Sequence, residues 1–292
     1  MRTRYHLYTF SILGIILTLI VSSSVLSKGK PKQKANPQSS PQAESVAPAQ
    51  DEEYLKLVKD LQSANPEKVV FAIQMLGATG NQDACKHLIK LLKKGPGNDI
   101  TDLAIQTLGA ISNPEAIDTL TEYLNHRRSE TRVAAIFALE VFSSAKIKNA
   151  LEHKLRDSNP EVRATAAISL GKKGDVSSVP ILFKAFDRGV NEAAISIGLL
   201  GSGEDALHLA DYLGKIDISV LLPGFRAFML GKRLDEGVKL QLLNILFDFA
   251  GPEVRQFAVQ LRAILKAEQP EMEYDDPILK MLSKMVNQIA QD

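Results

Sequence analysis

The sequence predicts an all-α fold, a right-handed α-solenoid of about seven stacked two-helix units, on three observations. Leu-Gly pairs, or an apolar residue followed by a break, recur at Leu76-Gly77, Leu108-Gly109, Leu139-Glu140, Leu170-Gly171, Leu200-Gly201 and Leu230-Gly231, at spacings of 32, 31, 31, 30 and 30 residues. The apolar residues are mainly Leu, Ile, Val and Ala, with no Trp, a single Cys and only 6% aromatics, as in helical cores. Two amphipathic stretches fill each period, and a pair of helices with one bare face must stack on its neighbours.

Two segments precede the repeats. In residues 1–27, Arg2 and Arg4 lead into an apolar run from Phe10 to Val21 that ends in Ser and small residues, the layout of a signal peptide. The stretch from Tyr8 to Leu26 also reaches the length of a bilayer-spanning helix, so an uncleaved N-terminal membrane anchor fits the same residues. Either reading predicts a periplasmic or extracytoplasmic protein, secreted or held in the inner membrane, with the membrane as a partner if the segment stays uncleaved. Residues 28–50 hold four prolines and Val46 as the one bulky aliphatic, so a disordered Lys/Pro/Gln-rich linker is expected.

Residues 51–292 carry the repeats. DEEYLKLVKDLQ, residues 51–62, offers Leu55, Val58 and Leu61 for an N-terminal capping helix. The unit at 157–186 shows the grammar best. Asp157 or Ser158 is a candidate N-cap, Pro160 suits a first turn, and Val162, Ala166, Ala167 and Leu170 fall at helical spacing. Gly171 and Gly174 are expected to end that helix, and Asp175 or Ser177 to cap a second one carrying Val179, Ile181, Leu182 and Phe186. The fifth unit lacks the usual Pro-x-Val-Arg start. Pro223-Gly224 in the sixth is expected to kink or split its first helix, with local repacking around Phe225 and Phe228 or an exposed apolar patch there. From Asp276 on, Ile278, Leu282, Met285, Val286 and Ile289 make the apolar side of a C-terminal cap.

The residues Asn159, Pro160, Glu161, Val162, Arg163, Ala166, Ala167, Leu170, Gly171, Gly174, Asp175, Val179, Pro180 and Leu182 follow a pattern that resembles the short bacterial HEAT repeats of the phycobilisome-lyase-like type. The resemblance covers roughly residues 63–265. It implies HEAT-like packing and leaves function open, because the residues it specifies pack and cap helices.

Chemistry is tested residue by residue. Of the net charge of +1, residues 1–27 carry +2 and residues 28–50 carry +3, which leaves −4 for residues 51–292. That balance, without Trp for stacking, argues against nucleic acid. Relatives resembling iron hydroxylases hold their metal with His-Glu dipeptides, and none occurs here; the histidines are His6, His87, His126, His153 and His208. No phosphate-binding Gly loop, Ser-His-Asp set or paired-Cys metal spacing is present, so no catalytic residue, metal or cofactor is expected. Cys85, beside Leu88 and Ile89, reads as a buried structural thiol.

What remains is surface. Along the second helices the charges alternate in sign from unit to unit: Lys86 and Lys90, then Glu115, Asp118 and Glu122, then Lys146 and Lys148, then Glu204, Asp205 and Asp211. A solvated face explains the pattern; a docking surface on the concave side of the solenoid, with Phe225 and Phe228 beside it, is the alternative. The expected function is a non-catalytic scaffold or adaptor of the cell envelope that binds a protein partner. The alternative, implied by the resemblance, is an enzyme or enzyme subunit related to phycobilin lyases or to HEAT-repeat iron hydroxylases.

Overall fold

In the computed structural model, which describes residues 47–268 and 275–289, the described residues form an α-solenoid of fifteen helices without a β-strand. After α1 (Ala47–Asp60) come seven pairs: α2 (Pro66–Thr79) with α3 (Ala84–Lys93), α4 (Asn98–Ile111) with α5 (Ala116–Tyr123), and α6 (Ser129–Leu139) with α7 (Ala145–Lys154). The series continues with α8 (Pro160–Lys173) and α9 (Val179–Phe186), α10 (Ala193–Leu200) and α11 (Gly203–Ala210), α12 (Ile218–Leu230) and α13 (Glu236–Phe249), then α14 (Pro252–Glu268) and α15 (Pro277–Gln288). First helices pack on one another in chain order, and each second helix also packs on the first helix of the next pair. The signal or anchor at 1–27 and the linker up to residue 46 lie outside the described residues. Helix α1 starts at Ala47, inside the expected linker, with Pro48 in its first turn where a missing N–H costs nothing. Among the described residues no helix is long and apolar enough to cross a membrane.

Local chemistry starts the helices where the sequence places them. The side chains of Asn65 and Asn159 accept from the amides of Glu67 and Glu161, ahead of Pro66 and Pro160 in the first turns, so the cap of α8 is Asn159 and not the expected Asp157 or Ser158; Asp157 accepts from the Asn159 amide instead. Asp175 caps a short 3-10 turn, Val176–Ser178, that leads into α9. At the N-terminus Leu57, and Leu61 just past the end of α1, are buried and Val58 is half-buried against the core, so the expected apolar face holds at Val58 and Leu61, whereas Leu55 is 64% exposed.

Three of the Leu-Gly pairs are not stops, whereas Leu139-Glu140, Leu200-Gly201 and Leu230-Gly231 do end their helices. Gly77, Gly109 and Gly171 lie inside α2, α4 and α8, and those helices end three residues later at Gly80, Ser112 and Gly174, each in the left-handed region. Ser112 tolerates this by donating from Oγ to the carbonyl of Gly109 at 2.9 Å. The interior glycines serve a different purpose: a Cβ on Gly77 would lie 2.8 Å from Cγ2 of Thr107, and one on Gly109 2.8 Å from Cα of Ala138. Successive first helices therefore meet almost backbone to backbone.

The same contact corrects the repeat register. Gly171 faces Ser196 of the next first helix, and the counterpart in the fifth repeat is Gly198, which faces Gly224 and Ala227. The repeat position is thus Ile197-Gly198, 27 residues after Leu170-Gly171, while Leu200-Gly201 is the helix end that corresponds to Lys173-Gly174. The first helix is accordingly shorter, 14 residues in α8 against 8 in α10.

The expected split at Pro223 does not occur, since α12 runs unbroken from Ile218 to Leu230. Gly224 follows because α10 comes close there: a Cβ would sit 2.6 Å from the carbonyl oxygen of Ala194. Phe225 and Phe228 are buried, at 0% and 1% exposure, and fill the core beside this approach. They form no exposed patch, so the repacking alternative holds.

Helix α6 lacks a terminal glycine, and its loose carbonyls are satisfied from the next repeat. The Lys173 ammonium donates to the carbonyls of Phe142 at 2.5 Å and Leu139 at 3.1 Å. Nearby, Arg132 donates to Oδ1 of Asp157 at 2.6 Å, with the two side chains 11% and 7% exposed. The same guanidinium reaches the carbonyl of His126 at 2.8 Å, so the charge-assisted bonds of its two terminal nitrogens join the third and fourth repeats, while its Nε is buried without a partner among the described residues.

Candidate functional site

The charged second-helix residues are exposed or, at Lys148 and Asp205, half-buried, and four of the ten form ion pairs among the described residues. Lys146 donates to Oδ1 of Asp118 at 2.5 Å, joining α7 to α5. Lys148 lies 3.1 Å from Asp175 and 3.9 Å from Glu152, joining α7 to the turn before α9. Alternation of sign from repeat to repeat is therefore, in the middle of the array, a row of inter-repeat ion pairs. Ser177 Oγ–H and N–H, together with Lys148, hold the Asp175 carboxyl down to about 2.

At the two ends the expected residues act singly. Lys86 pairs with Asp83 of its own helix start at 2.8 Å, and Lys90 is exposed. Glu115 and Glu122 are exposed at the two ends of α5, and Glu204 and Asp211 are exposed at the two ends of α11. Asp205 serves the helix itself, because its carboxylate accepts from Ser202 N–H at 2.7 Å while Ser202 Oγ accepts from the Asp205 amide, a reciprocal cap on α11. Of the twelve candidates the fold brings only Asp118 and Lys146 into contact, and Phe225 and Phe228 belong to the core.

Among the described residues the histidines do not converge. His87 stands edge-on to Tyr54 with ring centroids 6.2 Å apart, and His208 stacks on Phe183 at 4.3 Å. Among the described residues no group of His, Cys, Asp and Glu is placed to hold a metal ion. Cys85 is fully buried, and burial, with the nearby Glu115 carboxylate, pushes its thiol up to about 11.

A second surface emerges on the first helices, one that the pattern of repeats and charges does not single out. In repeats three to five the solvent side of each first helix carries an acid at its start and apolar residues along its length, at helical spacing. The lines are Glu130-Val133-Phe137-Val141, Glu161-Ala164-Ile168-Lys172 and Glu192-Ile195-Leu199, and the 27-residue step sets Ile195 level with Ile168 and Leu199 level with Lys172. Phe137, Val141 and Leu199 are 51%, 57% and 44% exposed, while the core sides of the same helices are fully covered. The matching lines in repeats one and two end in Gln74 and Ala78, and in Gln106 and Ala110. Beside the acids, a groove of about 320 Å³ opens between Glu161 and Glu192, with Ala164 and Val190 on its walls. The available signal was that α6, SETRVAAIFAL, is apolar on nearly every side, more than one buried face requires.

A family model described as HEAT repeats matches residues 54–140 and 120–198. No curated protein matches the chain in sequence. Among solved structures, the chain is similar to the complex of CpcE and CpcF of phycocyanin lyase from Nostoc sp. PCC7120, with 16% identity, a TM-score of 0.43 and coverage of 91% of this chain and 100% of that one. It is also similar to an engineered protein, with 18% identity, a TM-score of 0.43 and coverage of 82% and 79%. Likeness at this level attaches no activity to the chain.

Proposed function

Because this chain is a HEAT-repeat protein, we propose that it is a non-catalytic scaffold that holds a protein partner on an exposed helical face, and that residues 1–27 bring it to the cell envelope by export or anchoring. The observation that carries the proposal is the exposure of apolar residues on the first helices of repeats three and five, Phe137 and Val141 in one and Leu199 two repeats on, with half-buried Ile168 on the helix between them. Isolated apolar side chains on a surface are ordinary, but neighbouring ones on adjacent packed helices form a patch that lowers solubility unless something covers it. Repeat stacks suit partner binding because each layer adds a rigid strip to one extended surface. The basic start and apolar run of the leader support the envelope placement.

The test is in-cell crosslinking of the full-length protein, followed by membrane fractionation and identification of the captured species. Reproducible capture of one envelope protein, lost in Phe137→Glu, supports the scaffold. An absorption spectrum of the purified protein that reveals bound iron or pigment, with no protein captured, overturns it in favour of an enzyme.

A further inference from the structure

We propose that the first-helix face of repeats three to five receives an amphipathic helix with a basic flank, laid across the stack. This rests on the scaffold reading and gives its partner a chemistry.

Phe137, Ile168 and Ile195 hold equivalent positions on three neighbouring helices, exposed in the first and half-buried in the other two, and with Leu199 one turn beyond Ile195 they provide an apolar floor at right angles to the helices that carry it. Packed helices lie about 8–10 Å apart, and seven residues of an α-helix rise about 10.5 Å. An incoming helix that places an apolar residue at every seventh position therefore meets one floor residue per repeat. An extended strand has no such match between its period of two and the spacing of the floor.

Charge selects the flank. Glu161 and Glu192 border the floor on one side and line the groove between repeats four and five. Among the described residues neither carboxylate forms an ion pair, in contrast to Glu130, whose Oε2 lies 3.7 Å from Arg128. Arg163 also lines the groove, but its guanidinium is turned to the carbonyls of Asp157 and Ser158. A Lys or Arg from the partner can lay its aliphatic stem along Ala164 and Val190 and set its charge between the two carboxylates. On the far side Lys172 is bridged to Glu140 at 3.0 Å and reaches over the Phe137 ring at 5.9 Å, so it closes the apolar floor and adds little free positive charge.

The test uses the full chain and two synthetic helical peptides of about 21 residues, three seven-residue periods, with identical apolar faces. One carries Lys and Arg on its flank, the other Glu, and binding is read by fluorescence anisotropy. The basic peptide should bind at least about tenfold tighter than the acidic one, and Phe137→Glu or Leu199→Glu should each weaken it by at least about tenfold. Glu161→Lys with Glu192→Lys should reverse the preference, and unchanged circular dichroism should show that each variant is folded. Equal binding of both peptides, binding of neither, or indifference to Phe137→Glu overturns the proposal. Binding of neutral phosphatidylcholine vesicles in place of either peptide also overturns it and gives the face to lipid. If the crosslinked partner is still captured by the Phe137→Glu protein, the scaffold stands and only this docking face falls.

Discussion

Gly109 and Ala138 set the distance between the second and third repeats: a Cβ on Gly109 would lie 2.8 Å from Cα of Ala138 and 3.2 Å from its carbonyl oxygen. Backbone atoms cannot rotate out of the way as a side-chain tip can. Gly109→Val should therefore force the two helices apart and cost about 1–3 kcal/mol, measured as a lower midpoint in urea unfolding. Gly80→Ala should also destabilise, by about 1–2 kcal/mol, for a separate reason, since open space surrounds Gly80 but its φ is +62°. Neutral behaviour of Gly109→Val would disprove the close approach.

The buried pair Arg132 and Asp157 should make stability depend on pH. Burial, the largest influence, pushes the Asp157 carboxyl up, but the Arg132 guanidinium, the Asn159 N–H and Lys154 together outweigh it and hold it below its ordinary value. The folded pKa is thus depressed. Its stabilisation is complete above the unfolded value of about 4 and is lost as pH falls through the folded value. Asp157→Asn should cost about 3 kcal/mol at neutral pH, and the gap to wild type should narrow as pH falls below about 4 in denaturant titrations. A gap that does not vary with pH would show that the carboxylate charge is unimportant.

Cys85 should behave as a core residue. With its thiol pushed up to about 11 and no solvent exposure, it should resist alkylation by iodoacetamide at pH 8 in the native protein and react after unfolding in guanidinium. Mass spectrometry of the two samples distinguishes them, and rapid native labelling would contradict the burial.

Phe225 and Lys146 should separate core from surface. Phe225→Ala removes a fully buried ring and should cost about 3–5 kcal/mol in equilibrium unfolding. Lys146 and Asp118 pair with side chains 57% and 80% exposed, so a double-mutant cycle should give a coupling of about 0.2–1 kcal/mol. A small loss at Phe225 would return that ring to the surface.

Much of the candidate surface was hidden by the same feature that made the repeats readable. Sequence periodicity reports residues that recur, and Lys86, Asp118 and Lys146 drew notice because their signs alternate with the period. Once folded, Lys146 is held by Asp118, and Asp205 by the cap of its own helix. Phe137 and Leu199 look like core residues in sequence, because a helix with apolar residues all round does not reveal which of them lacks a neighbour.

The helices, the two-helix period and the buried Cys85 were legible in the chain alone, because each follows from local chemistry or from an apolar stripe at helical spacing, whereas the cap of α8 fell on Asn159, one or two residues after the expected Ser158 or Asp157. It took the packed helices to show that Gly77, Gly109 and Gly171 mark contacts between helices and not their ends, and that the fifth repeat is 27 residues from the fourth. A glycine at a helix end and a glycine under a crossing helix are the same letter. They differ in what stands within 3 Å of the missing Cβ, and that neighbour comes from a residue about 30 positions away.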